Sequence, residues 1–174
     1  MHEHRLIERV VAVMESRLHE MDVSGRVDPF EIGEIVDFIR TYADRCHHGK
    51  EEDILFRRLA EKDLDPQLAA SMADLVAEHA RARAITARLA DSNRRYLSGE
   101  QEAVQDVAAA MRELVALYPV HIAKEDREFF KPCLEYFTDE ERDVMLRDFE
   151  EFEKELLHAK YRLVVEQLEH VPGA

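Results

Sequence analysis

Apolar residues recur at intervals of three and four along nearly the whole chain, and this spacing predicts that the protein is built almost entirely from helices. Over residues 2–22 they form one stripe, consisting of Leu6, Ile7, Val10, Val11, Met14, Leu18 and Met21. Only five glycines and five prolines interrupt the 174 residues, so long helices can form without breaks. The expected fold class is therefore all-α.

Prolines and capping residues predict where these helices begin and end. Asp-Pro pairs at 28–29 and 65–66 place an N-cap before a first-turn proline, and a Thr-x-x-Glu capping box begins at Thr138. Pro119 should bend or loosen the fourth helix, and Pro132 should end it. The signals predict five helices, over about 2–22, 28–61, 65–97, 100–130 and 138–170.

Short connections between these helices favour antiparallel neighbours. The expected architecture is an up-down four-helix bundle over about residues 2–133, followed by an additional C-terminal fifth helix at about 138–170. Because 174 residues suit one hydrophobic core, we expect a single domain over 1–174.

Charge and cysteine content restrict the partners and the compartment. The net charge of −14 disfavours nucleic acid and anionic membrane surfaces as partners. No apolar run approaches membrane-spanning length, and the N-terminus lacks the pattern of a secretory leader. Cys46 and Cys133 do not form a disulfide framework, which favours a reducing compartment. We therefore expect a cytoplasmic protein without a nucleic-acid or membrane partner; no protein partner is indicated.

Two of the predicted helices each carry a His-x-x-x-Glu pair, His47 with Glu51 and His121 with Glu125. Residues four apart share a helix face and are separated by about 6 Å of rise. An imidazole and a carboxylate at this spacing can converge on one cation, or on two cations about 3.5–4 Å apart. Both pairs lie on the apolar stripe of their helix, so the sequence directs them inward.

Single histidines continue the apolar stripes of the first and third helices, at His4 and His79. Burying four imidazoles and two carboxylates together is costly unless a cation compensates them. Mixed imidazole and carboxylate donors suit iron, manganese or zinc, and six are more than a structural zinc site needs. Two carboxylates that can bridge favour a pair of irons, with zinc or manganese as substitutes.

Other side chains near these turns are weaker candidates. His48 and Glu52 form a second pair one residue further round the second helix, where we expect a neighbouring helix edge or solvent. Tyr42 and Tyr118 could donate hydrogen bonds or control access, with ordinary core packing as the alternative. His158 completes a single Glu-x-x-His sequence and is expected to be structural.

The segments HHGKEEDILF at 47–56 and HIAKEDREFF at 121–130 resemble the two signature segments of the hemerythrin-like HHE cation-binding family. EHRLIERV at 3–10 and EHARA at 78–82 resemble its first- and third-helix histidine segments. The resemblance covers about residues 3–131. It implies a hemerythrin-like fold and a centre of two non-haem irons, with the glutamates as candidate bridges. The metal ligands that it implies are His4, His47, Glu51, His79, His121 and Glu125.

Two features depart from the oxygen-carrying members of that family. Those proteins have a His-x-x-x-His pair in the third helix, whereas Leu75 and Arg83 stand four residues before and after His79. The helix would supply one ligand fewer, leaving a position open or filled by water, a carboxylate or tyrosine. Those proteins also place the last carboxylate five residues after its histidine. Here both Glu125 and Asp126 are available; Glu125 has the more regular helical spacing.

The resemblance implies a di-iron protein that binds or senses oxygen or a related small oxidant, either peroxide or nitric oxide. Reversible oxygen carriage is the role that the single third-helix histidine argues against. Repair of iron–sulfur centres or iron handling is an alternative, although the paired N-terminal cysteines usual in such repair proteins are not seen. A metal-free helical adaptor is a third hypothesis. No nucleophile–base motif is evident, so we predict no catalytic residues and favour a binding protein over a dedicated enzyme.

Overall fold

The computed structural model describes residues 2–169, with side-chain surroundings for residues 3–160, and it contains no β-strand in that range. The first helix, α1, spans His2–Ser24. The third, α3, spans Pro66–Leu97, and the fifth, α5, spans Asp139–Glu169. The all-α prediction is confirmed. The predicted end of the fifth helix, at residue 170, lies outside the described residues.

The second and fourth helices, α2 and α4, are continuous but change their hydrogen-bond pattern along their length. Helix α2 covers 29–59. It is α-helical over Pro29–Phe38, π-helical over Ile39–His48, α-helical at residues 49–50, π-helical over Glu51–Phe56 and α-helical over Arg57–Leu59. Helix α4 covers 103–134 and consists of α-helical Ala103–Lys124, π-helical Glu125–Phe129 and α-helical Phe130–Leu134. Such π-helical turns are rare and often lie at functional sites. Here they contain residues of both His-x-x-x-Glu pairs.

Local side-chain contacts explain where the helices begin. Asp28 Oδ1 accepts a hydrogen bond from the Phe30 amide at 2.9 Å. Asp65 does the same for the Gln67 amide at 2.8 Å. The capping box predicted at Thr138 is also formed, with backbone-to-side-chain distances of 2.9 and 3.2 Å. These starts agree with the sequence prediction because capping depends only on residues within one turn.

Of the two prolines of the fourth helix, Pro132 acts differently from the prediction, and no loosened turn is found at Pro119. The backbone remains α-helical through Pro119, and the wider π-helical turns begin only at Glu125. Pro132 does not end the helix, which continues to Leu134. The missing amide hydrogen of Pro132 affects only the last turn of the helix, which ends two residues later.

The bundle core consists of two apolar clusters separated by a polar layer. The larger cluster contains Ile35 of α2, Leu89 of α3 and Leu114 of α4, among others. The smaller contains Leu59 of α2 and Phe129 of α4, together with residues of α3 and α5. In α2, α3 and α4 the histidine motifs lie between the stretches that enter the two clusters. The site is therefore enclosed by packed apolar side chains on both sides.

Helix α5 packs along α2 beside this layer. Its Phe152 ring lies over Gly49, where an added β-carbon would come within 2.9 Å of the ring. Its Glu153 accepts a hydrogen bond from Lys50, which lies one residue before a predicted metal ligand. None of the helices within residues 2–169 is long and apolar enough to cross a membrane.

Candidate metal centre

The structure brings the six predicted metal ligands together within the polar layer. They come from all four bundle helices, and none is more than 4% exposed. The set is His4, His47, Glu51, His79, His121 and Glu125.

Two groups of donor atoms can be distinguished at this site. The first, called the histidine trio below, consists of His48, His79 and His121. The second, called the mixed group, consists of His4, His47, Glu51 and Glu125. Within each group the donor atoms lie within 4.8 Å of one another, which is close enough for one cation to contact all of them. Cys46 belongs to neither group; its thiol lies within 4.8 Å of carboxylate oxygens of Glu3 and Glu153.

The two glutamates connect the groups. Glu125 Oε2 lies 3.1 Å from His4 Nε2, while its other oxygen, Oε1, lies 3.2 Å from His121 Nε2. Glu51 repeats this pattern: its Oε1 lies 3.6 Å from Nε2 of His47 in the mixed group, and its Oε2 lies 3.4 Å from Nε2 of His79 in the histidine trio. Each carboxylate therefore directs one oxygen towards each group, the arrangement that a bridge between two cations requires.

Many inner polar atoms lack a hydrogen-bond partner within the described residues. These atoms are both carboxylate oxygens of Glu51 and Glu125, both ring nitrogens of His48, and Nε2 of His79 and His121. A buried polar atom without a partner costs about 1–3 kcal/mol, and native proteins seldom leave several in one place. Cations would pair these atoms, and imidazole with carboxylate suits iron, manganese or zinc. The residues present therefore fit a metal centre.

The charges of the inner carboxylates depend on each other. Burial raises the pKa of Glu51 well above its usual value, and the charge of Glu125 raises it further. For Glu125, contacts with His121, His4 and His79 outweigh the effect of its own burial and lower its pKa. The pocket by itself therefore favours one ionised carboxylate of the two. A multivalent cation would allow both to ionise.

A ring of outer carboxylates surrounds the four predicted histidine ligands. Each histidine presents Nδ1 to a carboxylate of another helix, with N–O distances of 3.0 Å for Glu3–His47, 2.7 Å for Glu52–His79, 2.8 Å for Glu78–His121 and 2.9 Å for Asp126–His4. The contacts run from α1 to α2, α2 to α3, α3 to α4 and α4 back to α1. Metal-bound imidazoles typically use their second nitrogen in this way, which fixes the ring and its tautomer. In all four, Nε2 then faces the interior.

Basic side chains hold this carboxylate ring in place. Arg83 binds Glu52 at 2.7 Å and Arg5 lies 3.3 Å from Asp126, while Lys50 pairs with Glu3 and Lys124 with Glu78. Although burial alone would raise the pKa of Glu3, its contacts with His47 and Lys50 lower it to about 2. The pKa of Glu78 is likewise lowered by Lys124 and His121 in spite of partial burial. Both carboxylates therefore stay ionised and can accept from their histidines.

Sequence reasoning did not identify this carboxylate ring. A signal was present, because every member is adjacent in sequence to a predicted ligand: Glu3 to His4, Glu52 to Glu51, Glu78 to His79 and Asp126 to Glu125. Each member nevertheless contacts a histidine of a different helix. The structure also separates the two candidate carboxylates of α4, placing Glu125 in the interior and Asp126 in the ring.

The expected position of His48 was wrong. Its side chain is only 1% exposed and stacks on His79, with ring centroids 3.8 Å apart and planes inclined by 12°. Burial lowers the pKa of His48 to about 3, which keeps the imidazole neutral. Glu52, the other residue of this pair, does meet the neighbouring helix as expected. His158 is exposed.

A cavity of about 230 Å³ lies between α2 and α3 and reaches His48. Its lining residues are Ile39, Arg40, Asp44, His48, Ala82, Arg83, Thr86 and Tyr118. The Tyr118 hydroxyl is buried without a hydrogen-bond partner among the described residues, and burial raises its pKa. Tyr42 instead stacks on Phe38, with ring centroids 5.1 Å apart. Of the two tyrosines, Tyr118 thus lies where it can contact a small molecule.

Comparison with known proteins identifies one family. The family model described as the hemerythrin HHE cation-binding domain matches residues 1–133. This range contains all the residues of the histidine trio, the mixed group and the carboxylate ring. Searches of curated proteins and of solved structures found no match.

Proposed function

Since the chain belongs to the hemerythrin HHE cation-binding family, we propose that it is a non-haem di-iron protein that binds or senses oxygen or a related small oxidant, either peroxide or nitric oxide. The observation that carries the proposal is the placement of Glu51 and Glu125 between two groups of donor atoms, each with one oxygen towards either group. That arrangement suits two cations better than one.

Individual residues would have distinct roles in such a centre. The inner glutamates offset the cationic charge, and the inward Nε2 atoms of His4, His47, His79 and His121 complete the donor set. The carboxylate ring holds these imidazoles in one orientation and tautomer. When bound, irons would supply the redox chemistry and an open position for a small ligand.

The surroundings support a small ligand. Apolar clusters enclose the polar layer on both sides and limit the access of water. The cavity that reaches His48 has a volume of about 230 Å³, below the roughly 300–1,000 Å³ of pockets for drug-sized molecules. Tyr118 lines it and can donate a hydrogen bond. We also propose a cytoplasmic location, which the free cysteines Cys46 and Cys133 fit.

The proposal is tested by metal quantification together with absorption spectra of the reduced protein before and after exposure to air. We expect two irons per chain and a change in the visible spectrum on exposure. His121→Ala should lower the metal content sharply, whereas His19→Ala, at an exposed position of α1, should not. A colourless protein with one zinc per chain, or equal metal content in both variants, would contradict the proposal.

A further inference from the structure

His48 has the surroundings of a metal ligand, although the sequence pattern made it only a weaker candidate. It is buried at 1% exposure, and its donor atom lies within 4.8 Å of those of His79 and His121. Neither of its ring nitrogens has a hydrogen-bond partner among the described residues. A buried imidazole in this state lacks the compensation that a core histidine normally has.

The outer contact of His48 resembles that of the four predicted histidine ligands. Its Nδ1 faces a carboxylate, Asp44 Oδ1, at 3.5 Å, a distance too long for a good hydrogen bond. Unlike the outer carboxylates of the other histidines, Asp44 belongs to the same helix, four residues before His48. Asp44 is in turn held by Arg83 at 2.6 Å. The same arginine also holds Glu52, the outer carboxylate of His79. His48 and His79 thus share one outer support.

The backbone explains how two adjacent histidines of α2 both face the interior. His47 and His48 lie in the π-helical stretch Ile39–His48. Because π-helical hydrogen bonds join residues five apart, the chain turns less per residue than in an α-helix, and neighbouring side chains lie closer around the axis. His47 can then join the mixed group while His48 reaches the histidine trio.

We propose that His48 is a further metal ligand, forming with His79 and His121 the imidazole donors of one of the two ions. It would supply from α2 the second imidazole that α3 lacks, since Leu75 and Arg83 flank His79 at four residues on either side. The inference rests on the proposed function, because it requires a metal centre. The other ion would be held by the mixed group, with Glu51 and Glu125 shared.

The test compares wild type, His48→Phe, His48→Ala and the exposed control His19→Ala. Anaerobic iron(II) titration gives stoichiometry and affinity, and X-ray absorption gives the number of imidazoles per metal. His48→Phe keeps an aromatic ring against His79 but removes the donor. We expect it to bind one ion at least 100-fold more weakly, beyond the 10–100-fold typical of an outer-shell change, with a lower imidazole count. Free imidazole should restore binding in His48→Ala.

The outcomes separate the two hypotheses. Two irons per chain in both wild type and His48→Phe, with unchanged affinity and imidazole count, would overturn the role of His48 and leave the proposed function intact. A wild-type chain without metal would overturn both. Circular dichroism checks folding. If His48→Phe does not fold, His48→Gln is judged by the same imidazole count, and an unchanged count there overturns the inference.

Discussion

Substitution of Glu78 tests whether the carboxylate ring supports metal binding. Glu78 of α3 contacts His121 Nδ1 at 2.8 Å and pairs with Lys124, both of α4. Loss of an outer partner of a metal ligand typically weakens metal binding 10–100-fold, or about 1.4–2.8 kcal/mol at 1.4 kcal/mol per tenfold change. Glu78→Gln keeps an oxygen that can accept from His121, so we expect about a tenfold loss. Glu78→Ala removes the acceptor, so its loss should approach 100-fold.

A matched control is available on the same pair of helices. Glu113 of α4 binds Arg88 of α3 at 2.7 Å, and these side chains are 39% and 58% exposed and pair with each other rather than with a histidine of the site. Glu113→Gln therefore removes a similar link between the helices without touching the site. We expect its metal affinity to stay within about twofold of wild type, since exposed ion pairs contribute about 0–1 kcal/mol to stability and none to the ligands.

Anaerobic competition against a chromophoric chelator measures these affinities at fixed pH and ionic strength. A double-mutant cycle adds the decisive comparison, because Glu78 should act only through His121. In a His121→Ala background, Glu78→Ala should cause little further loss. An unchanged affinity in Glu78→Ala, a loss of equal size in Glu113→Gln, or full additivity with His121→Ala would each refute the supporting role of the ring.

Three further predictions concern stability. Leu114→Ala removes a fully buried core side chain and should lower the free energy of unfolding, measured by chemical denaturation, by about 2–5 kcal/mol. Leu146 is 59% exposed, so Leu146→Ala should change that free energy by less than about 0.5 kcal/mol. Equal losses in the two variants would contradict the assigned core. Metal present at about 100 times its Kd stabilises the folded protein by about 2.7 kcal/mol, so removing it with a chelator should lower the melting temperature by roughly 5–10 °C. An unchanged melting temperature after the metal has been shown to be lost would argue against the site. Acid should destabilise the metal-free protein. Folding lowers the pKa of Glu3 to about 2 and also lowers those of Glu78 and Asp44, so the unfolded chain takes up protons before the folded protein does as the pH falls. The stabilisation that these three carboxylates contribute is complete above about pH 5 and is lost towards pH 2. Melting temperatures that stay constant from pH 7 to 3 would contradict this.

The sequence by itself predicted the features that depend on neighbouring residues along the chain. Helix starts at Asp28 and Asp65 follow from capping within one turn, and the inward faces of His4, His79 and His121 follow from the spacing of apolar residues. Both kinds of signal are local, so they remain valid whatever the helices later contact. Five helices and the candidate ligands were therefore accessible without tertiary information.

Only the tertiary structure decided which helix supports which histidine and how the two donor groups are connected. The carboxylate ring joins Glu3 to His47 and Glu78 to His121 over more than 40 positions of sequence, through the rotation and axial register of packed helices. No spacing rule within one helix contains that information. His48 was misplaced for a related reason: an α-helical period was assumed where the backbone is π-helical. Because the π-helical backbone turns less per residue, the His48 side chain lies within the site and not at the predicted edge of the helix.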